Sequence, residues 1–255
     1  MLRPVTLITG ASAGIGAALA RVFAARGHDI ALVARRKAKL DVLAEAIASA
    51  GGTRPHVLAF DLAASEAAEH LAKELLAREL QPEIVVNNAG FGLAGDAAAL
   101  DRNEQLAMID LNVRVVTDLS LRFLDALVRR RGALLNVASV AGFMPAPGMA
   151  VYHATKAYVL SFTEALHGEL AGKGVRVTAL CPGPVATEFQ ARAGIGKDYF
   201  PRVLSRTSRR VAEEGYDGLM RGRRLVVPGF ANQVACFLPR ILPRRGVLAM
   251  TAKRK

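Results

Sequence analysis

A tyrosine and a lysine stand four positions apart, at Tyr152 and Lys156, in a segment predicted to be helical over 151–171. That spacing places both side chains on one face of the helix, about one turn apart. A phenol with a pKa of about 10 is a poor base at neutral pH, but a neighbouring ammonium favours the phenolate. The pair suits proton exchange with a carbonyl or alcohol oxygen. Taken alone, it also fits an ordinary amphipathic helix.

A serine, Ser139, follows the apolar run 133–138, which predicts a buried strand. Ligands bind at the carboxyl ends of strands in open parallel sheets. A hydroxyl at that edge can hydrogen-bond to a substrate oxygen as negative charge develops on it. The other interpretation is a turn or helix cap, since serine is common at such breaks.

A glycine-rich turn, Thr-Gly-Ala-Ser-Ala-Gly-Ile-Gly, spans 9–16 between a predicted strand at 5–8 and a predicted helix at 15–26. Glycines let the backbone turn tightly and approach a phosphate, and the helix amino terminus presents free N–H groups to the anion. The residues expected to bind phosphate are Gly10, Ser12, Gly14, Ile15 and Gly16.

Short apolar runs alternate with longer amphipathic stretches along the chain. Strands are predicted at 5–8, 30–34, 56–60, 84–87, 133–138, 175–180 and 224–227, and helices at 15–26, 38–50, 65–80, 103–129 and 151–171. Continuous apolar strands suit a parallel sheet that is buried on both faces. We expect an α/β fold: a doubly wound, seven-stranded, mostly parallel sheet with helices on both faces. It forms one domain over 1–228, followed by a C-terminal extension over 229–255.

Together with further motifs in the same order, the turn resembles the short-chain dehydrogenase/reductase family. Its spacing is Gly-x-x-x-Gly-x-Gly, not the common Gly-x-Gly-x-x-Gly. The other matching positions are Asn87-Asn88-Ala89-Gly90, Asn112, Ser139, Tyr152 with Lys156, and Pro182-Gly183 with Thr187. The resemblance extends to about Val227. It implies a Rossmann fold and an NAD(P)-dependent oxidoreductase that moves a hydride between nicotinamide and a carbonyl or alcohol carbon.

The resemblance also implies a role for each matching position. The catalytic residues would be Asn112, Ser139, Tyr152 and Lys156, with a water on the Asn112 backbone linking Lys156 to solvent. Asp61 would bind the adenine amine beside Leu62. Other cofactor contacts are expected from Asn88, Ala89, Gly90, Tyr152, Lys156, Pro182, Gly183, Val185 and Thr187. Asn87 is expected instead to tie neighbouring strands together.

The end of the second strand indicates which dinucleotide is used. NAD enzymes place an acid there to hold the ribose hydroxyls, and NADP enzymes replace it with cations near the 2′-phosphate. This strand is followed by Arg35, Arg36 and Lys37, with no acid. Guanidinium groups bind phosphate bidentately, so we expect NADPH/NADP+ to be preferred over NADH. The family's NADP-preferring branch often also has a basic residue where this chain has Ala13, so Arg35 and Arg36 must supply the preference.

The expected substrate pocket is apolar and lacks a charged anchor, which favours a lipophilic ketone, aldehyde or secondary alcohol. Its predicted lining is Phe91, Leu93, Phe143, Met144, Pro145, Met149, Pro184 and Phe189. Two other interpretations stay open. One is a 3-oxoacyl-thioester reductase that docks an acidic acyl carrier on the arginines at 129–131. The other is an NADPH-sensing binding protein without catalysis, although such proteins usually lack the tyrosine or the lysine.

The net charge of +12 is concentrated near the C-terminus, where 221–255 holds nine lysines and arginines and no acid. Apolar residues follow helical spacing there, at Phe230, Val234, Phe237, Leu238, Ile241 and Leu242. The segment is too short to span a bilayer. It fits packing over the substrate pocket or another subunit, or peripheral contact with an anionic membrane.

Two cysteines, Cys181 and Cys236, suggest no disulfide framework and indicate a reducing compartment. We therefore expect a cytoplasmic protein, with membrane association left open. The histidines show no metal-ligand spacing, and no nucleic-acid partner is expected. The helices predicted at 103–129 and 151–171 are longer than one sheet face needs, and the resemblance implies that they pair in a homodimer or homotetramer.

Overall fold

The computed structural model describes residues 2–64, 66–196 and 201–252. Its strands are β1 (Arg3–Thr9), β2 (Ile30–Ala34), β3 (His56–Ala59), β4 (Leu80–Asn87), β5 (Ala133–Val137), β6 (Arg176–Leu180) and β7 (Leu225–Val226). They form one sheet in the order β3-β2-β1-β4-β5-β6-β7. Every strand pairing in the described part of the chain is parallel. The predicted seven-stranded, doubly wound α/β fold is confirmed.

Helices cover both faces of this sheet. They are α1 (Gly14–Ala25), α2 (Lys37–Ser49), α3 (Ala67–Ala77), α4 (Arg102–Ile109), α5 (Val115–Arg122), α6 (Leu124–Arg130), α7 (Ala150–Leu170), α8 (Glu188–Arg192), α9 (Ser208–Met220), α10 (Phe230–Ile241) and α11 (Arg244–Thr251). Side chains of α1, α2 and α9 share one apolar core with Ile84 and Val86 of β4. Side chains of α3, α5, α6 and α7 share a second core with Val85. Successive side chains of β4 therefore point to opposite faces of the sheet, each into a different core.

The strand order reverses beside β1, because β2 lies on one side of it and β4 on the other. The connections leaving β1 and β4 run to opposite faces, which opens a crevice at the carboxyl edge of the sheet. Open α/β sheets bind their ligands in such a crevice. The glycine-rich turn and the Asn88-Ala89-Gly90 loop both lie there.

The helix predicted over 103–129 is not continuous. It consists of α4, a π-helical segment at Asp110–Arg114, α5 and α6. Asn112, inside the π-helical segment, is buried and hydrogen-bonded across to another loop. A π-bulge of this kind often marks a functional position in a helix.

The helix predicted over 65–80 is also shorter, ending at Ala77. Glu79 adopts a left-handed conformation with φ of 57°, which ends the helical path and lets β4 begin at Leu80. Similar small differences affect β1 and β7, whose bounds depend on pairing partners that the sequence pattern does not show.

The C-terminal helices α10 and α11 pack their inner faces on the domain. Asn232, Cys236 and Val247 are buried, and Thr251 Oγ1 donates to the Pro145 carbonyl oxygen at 2.9 Å. The apolar stripe predicted at helical spacing lies on α10 except for Leu242, which follows its last residue, and the helix continues through Pro239. Within the described ranges, no helix has the length and hydropathy needed to cross a membrane.

Candidate active site

The glycine-rich turn between β1 and α1 is folded tightly against the loop that follows β4. Gly10 and Gly14 have φ of 65° and 58°, a conformation that favours glycine. A Cβ added to Gly16 would lie 2.4 Å from the Gly10 carbonyl oxygen and from Asn88 Nδ2. Asn88 Nδ2 donates to the carbonyl oxygens of Thr9 and Gly10, at 2.9 and 3.3 Å. The Asn88 side chain thus holds the turn in place.

The amino terminus of α1 opens from this turn into the crevice. In the part of the chain that the structure describes, no side chain caps it, and first-turn amides of this kind bind phosphate. Ile15 packs on the core beneath, while the Ala89 amide donates to Thr9 Oγ1 at 3.0 Å. The backbone cradle at residues 10–16 fits the diphosphate of a dinucleotide.

Tyr152 and Lys156 lie on one face of α7, beside Ser139 at the end of β5. All three are buried. Tyr152 lies next to Ser139, whose Oγ accepts from the Ala141 amide at 3.1 Å and donates to the Pro182 carbonyl oxygen at 3.5 Å. Lys156 Nζ donates to the Val137 carbonyl oxygen at 2.8 Å and lies 5.9 Å from the Tyr152 ring centroid. The fold therefore brings the three residues together, and Ser139 acts as a cap as well.

Burial has the largest effect on the pKa values of Tyr152 and Lys156. It raises the pKa of Tyr152 to about 12, partly opposed by the neighbouring Ser139 hydroxyl, and lowers the pKa of Lys156 to about 8. The expectation that the ammonium would lower the pKa of the phenol is not met. Lys156 is bonded to the Val137 carbonyl, and desolvation is the larger effect. At neutral pH Tyr152 is a phenol with a proton to donate.

Asn112 holds the loop after β4 against α7. Its Oδ1 accepts from the Phe91 amide at 3.1 Å, and its Nδ2 donates to the Phe91 carbonyl at 2.9 Å and to Thr155 Oγ1 at 3.1 Å. A Cβ on Gly90 would lie 2.8 Å from Asn112 Oδ1 and 3.7 Å from Lys156 Nζ. Gly90 therefore leaves room for the Asn112 amide beside this loop, while the contact with Lys156 would be an ordinary one.

Asn87 has the structural role expected of it. Its Nδ2 donates to Ser120 Oγ at 3.0 Å and to Asn136 Oδ1 at 2.9 Å. These bonds tie β4 to β5 and α5, and the prediction is confirmed.

The cations after β2 lie at the other end of the crevice. Arg35 Nη1 is 3.9 Å from Asp61 Oδ2. Arg36 donates to Ser12 Oγ and to Glu188 of α8. Asp61 Oδ1 also accepts from the Ala63 amide at 3.1 Å, in a local turn. Leu62 beside it is buried.

The segment after β6 closes over the glycine-rich turn. A Cβ on Gly14 would lie 3.1 Å from Thr187 Cγ2, and Thr187 Oγ1 caps α8 by accepting from Phe189 N at 3.3 Å. A Cβ on Gly183 would lie 2.4 Å from Asn232 Oδ1. The C-terminal helix α10 thus supports the turn at Pro182-Gly183. Val185, between these points, is buried.

Half of the predicted pocket lining gathers around Tyr152. Its members share one apolar cluster with the tyrosine: Phe91, Leu93, Met149 and Phe189. Phe143 packs on a different apolar cluster, with Val159 and Leu160, and its ring centroid lies 6.0 Å from the Arg240 guanidinium. Met144, Pro145 and Pro184 each accept a hydrogen bond through the main-chain oxygen, from His153, Thr251 and Arg206 respectively.

Several residues of the crevice were not predicted from the sequence. The Arg192 guanidinium lies 4.0 Å from the Phe91 ring centroid, so a cation borders the pocket that was expected to lack one. Glu188 contacts the predicted site residue Arg36 and Asn232 contacts Gly183, while Lys39 pairs with Glu188. These contacts join distant parts of the chain, so no local pattern marks them. The sequence signal for Lys39 is that it continues the run of basic residues at 35–37.

Comparison with known sequences shows the family to which a chain with this site belongs. The family model for short chain dehydrogenases matches residues 4–198. The chain belongs to the short-chain dehydrogenase family. This short-chain dehydrogenase is accordingly an NAD(P)-dependent oxidoreductase that acts on alcohol or carbonyl groups.

Its relatives differ in the substrates for which they are named. Sulfoacetaldehyde reductase 2 from Chromohalobacter salexigens is 37% identical over 188 residues, covering 72% of this chain and 74% of the relative. A short-chain dehydrogenase from Sphingobium yanoikuyae, solved in complex with NADPH, is 33% identical with a TM-score of 0.82, covering 99% of this chain and 97% of that one. The bulky-bulky ketone specific alcohol dehydrogenase from Comamonas testosteroni is 28% identical with a TM-score of 0.77, covering 96% of each chain.

Proposed function

We propose that this short-chain dehydrogenase transfers a hydride between NADPH and the carbonyl or secondary alcohol carbon of a lipophilic small molecule. The observation that supports this most is the position of Tyr152. Its buried hydroxyl lies next to Ser139, and its ring belongs to an apolar cluster with Phe91, Met149 and Phe189. A substrate that reaches the phenol must therefore pass apolar side chains.

In this mechanism the bound nicotinamide would supply or accept the hydride, and side chains of the protein transfer the proton. Tyr152 Oη donates its proton to the substrate oxygen during reduction. Ser139 Oγ donates a second hydrogen bond to that oxygen, which stabilises the charge developing there. Lys156 binds the nicotinamide ribose and restores the proton on Tyr152. Asn112, in its π-helical segment, holds the water through which Lys156 reaches solvent.

The other predicted site residues are proposed to bind the diphosphate, the adenine, the ribose and the carboxamide of the cofactor. Gly10, Gly14 and Gly16 shape the turn around the diphosphate, and Asp61 with Leu62 borders the adenine. Ala89 and Gly90 would back the ribose and nicotinamide, with Asn88 fixing the position of their loop. Pro182, Gly183, Val185 and Thr187 orient the carboxamide.

The substrate class follows from the walls of the pocket. Phe91, Leu93, Met149 and Phe189 are apolar and lie next to Tyr152, which favours a bulky lipophilic ketone, as in the name of the Comamonas enzyme. Arg192 at the border of the pocket could instead hold an anionic substrate such as sulfoacetaldehyde. The cluster includes Tyr152 itself, whereas the Arg192 guanidinium stacks on the Phe91 ring, 4.0 Å from its centroid. We therefore propose the lipophilic class.

The enzyme should reduce bulky ketones with NADPH much faster than with NADH. Arg36 is held beside Ser12, in position for a 2′-phosphate, and losing one charge-assisted contact costs about ten- to a hundredfold in affinity. A panel of ketones, small aldehydes and 3-oxoacyl thioesters, assayed with both dinucleotides, tests the substrate class and the preference for NADPH together. Arg36→Ala and Arg35→Asp should each weaken NADPH selectively, whereas Arg209→Ala on α9 should not. Equal use of NADPH and NADH by the unaltered enzyme would contradict the preference.

The rate of carbonyl reduction should fall at alkaline pH through Lys156, not through Tyr152. The pKa of Lys156 is about 8, so its charged form dominates below that pH and is lost above it. The pKa of Tyr152 is about 12, so the phenol remains protonated throughout. We expect kcat/KM to be level near neutral pH and to decline above about pH 8. In Lys156→Arg the decline should move upward, because guanidinium keeps its charge. A wild-type profile level to about pH 10 would contradict this assignment.

Copies of this chain are its proposed partners, as a homodimer or homotetramer. Outward apolar side chains on α4, α5 and α7 are exposed, namely Leu106, Ile109, Leu121 and Tyr158. Exposed apolar groups grouped on neighbouring helices are typical of subunit contacts.

A different partner is proposed for the outer face of α10. Phe230, Phe237 and Ile241 lie on one side of the helix, at 77%, 57% and 64% exposure. The charged residues that follow are arginines and lysines only, so a second copy of the same face would repel it. An anionic membrane surface complements both features.

Replacing Phe230, Phe237 and Ile241 with serine should abolish sedimentation with vesicles of anionic phospholipid, and salt should weaken binding of the unaltered chain. These residues are exposed, so the substitutions leave Asn232 and the site intact. Leu76→Ser, on the exposed side of α3, is the matched control. Light scattering on the same samples gives the oligomeric state. A drop in mass without any lipid binding would assign this face to a subunit contact instead.

A further inference from the structure

A carboxylate of α8 lies between two cations at the start of α2. Glu188 Oε2 is 2.7 Å from Arg36 Nη1, and Glu188 Oε1 is paired with Lys39 Nζ. Arg36 Nε and Nη2 donate to Ser12 Oγ at 3.3 and 2.9 Å. All three nitrogens of Arg36 are therefore engaged, one by a carboxylate and two by the glycine-rich turn.

This ion pair crosses the crevice. Glu188 is 152 positions from Arg36 and follows Thr187, which packs on Gly14. Hydrogen bonds from Lys39 and then Arg36 hold the pKa of the Glu188 carboxyl below its usual range. Glu188 is therefore an anion at neutral pH, located at the cations that the proposed function assigns to a phosphate.

We propose that Glu188 competes with the 2′-phosphate of NADPH for Arg36 and Lys39, and so lowers the ratio of the affinity for NADPH to the affinity for NADH. The proposal rests on the cofactor preference stated above. A phosphate that takes Arg36 must replace one of its present partners, and two anions on the same cations repel each other. NADH has no 2′-phosphate and leaves the ion pair in place. The competition therefore acts on NADPH alone.

The expected size of the effect is moderate. Both partners are about half exposed, and ion pairs at such positions are weak because water and salt screen them. Removing the carboxylate should tighten binding of the phosphate by about three- to tenfold. If the pair is only a surface contact away from the phosphate site, its removal should change no affinity.

The test is calorimetric titration with adenosine 2′,5′-bisphosphate and with 5′-AMP, which differ by the 2′-phosphate. Glu188→Gln and Glu188→Ala should each bind the bisphosphate about three- to tenfold more tightly and leave 5′-AMP unchanged. Glu213→Gln is the matched control, because Glu213 forms an exposed pair with Arg209 on α9 at 2.9 Å. It removes the same charge and should alter neither affinity.

The outcomes separate this inference from the proposed function. If the unaltered enzyme prefers the bisphosphate but both Glu188 variants bind it as the unaltered enzyme does, the competition is refuted and the cofactor preference stands. If the variants bind both ligands more weakly, Glu188 helps to hold the nucleotide, and the inference is overturned. If the unaltered enzyme does not distinguish the two ligands, the preference fails and the inference with it.

Discussion

Replacing Tyr152 with phenylalanine should lower kcat for carbonyl reduction by about a hundredfold to ten-thousandfold, the usual contribution of a positioned general acid. The phenylalanine ring can still pack among Phe91, Met149 and Phe189, but it has no proton to give. Affinity for NADPH should change by less than about threefold, because the ring keeps its place beside the nicotinamide site. Steady-state kinetics and fluorescence titration of NADPH measure the two effects separately.

Tyr158→Phe is the matched control for this variant. Tyr158 lies on the same helix, but its hydroxyl contacts Thr117 Oγ1 at 2.9 Å on the exposed side. The control should keep its full rate. A Tyr152→Phe enzyme that reduces ketones at near wild-type rate would exclude Tyr152 as the proton donor.

Replacing Gly16 with alanine should both destabilise the fold and weaken NADPH binding by tenfold or more, on the order of the loss of one strong contact. The added Cβ would meet the Gly10 carbonyl oxygen at 2.4 Å. Neither this backbone nor the Asn88 amide that clamps it can move away cheaply. Overpacking of this kind costs about 1–3 kcal/mol, or a decrease in Tm of about 2–12 °C for a chain of this size.

Replacing Gly168 with alanine should have the opposite effect on stability. Gly168 lies in α7, and a Cβ there would meet nothing within 4 Å. Alanine should stabilise the helix by about 0.5–1 kcal/mol. Thermal unfolding of both variants, with and without NADPH, tests the contrast. If Gly16→Ala is as stable as the wild type and binds NADPH equally well, the turn is not the tight cradle described here.

The central part of the sheet could be predicted because its local signals agree. β2 is buried at every position and is a continuous apolar run in the sequence, so its type follows from hydrophobicity alone. Tyr152 and Lys156 could be predicted because four-residue spacing on a helix fixes their relative position. Both signals are contained within a few residues of chain.

The contacts that the sequence did not reveal depend on tertiary packing. Glu188 reaches Arg36, and Asn232 reaches Gly183, only because α8 and α10 fold back over the crevice. Phe143 packs with Val159 and Leu160 and lies near Arg240 of α10 for the same reason. The pKa of Tyr152 also depends on burial, which outweighs the nearby ammonium and cannot be judged from spacing.

The most direct test of the account is whether a hydride passes from NADPH to a ketone carbon when Tyr152 is present. The enzyme should be incubated with a bulky aromatic ketone and NADPH deuterated on the transferring face of the nicotinamide, and the alcohol should be examined by mass spectrometry. We expect deuterium on the carbinol carbon with the unaltered enzyme and almost none with Tyr152→Phe. If the unaltered enzyme binds NADPH but delivers no deuterium to any ketone or aldehyde of the panel, the proposed function is wrong.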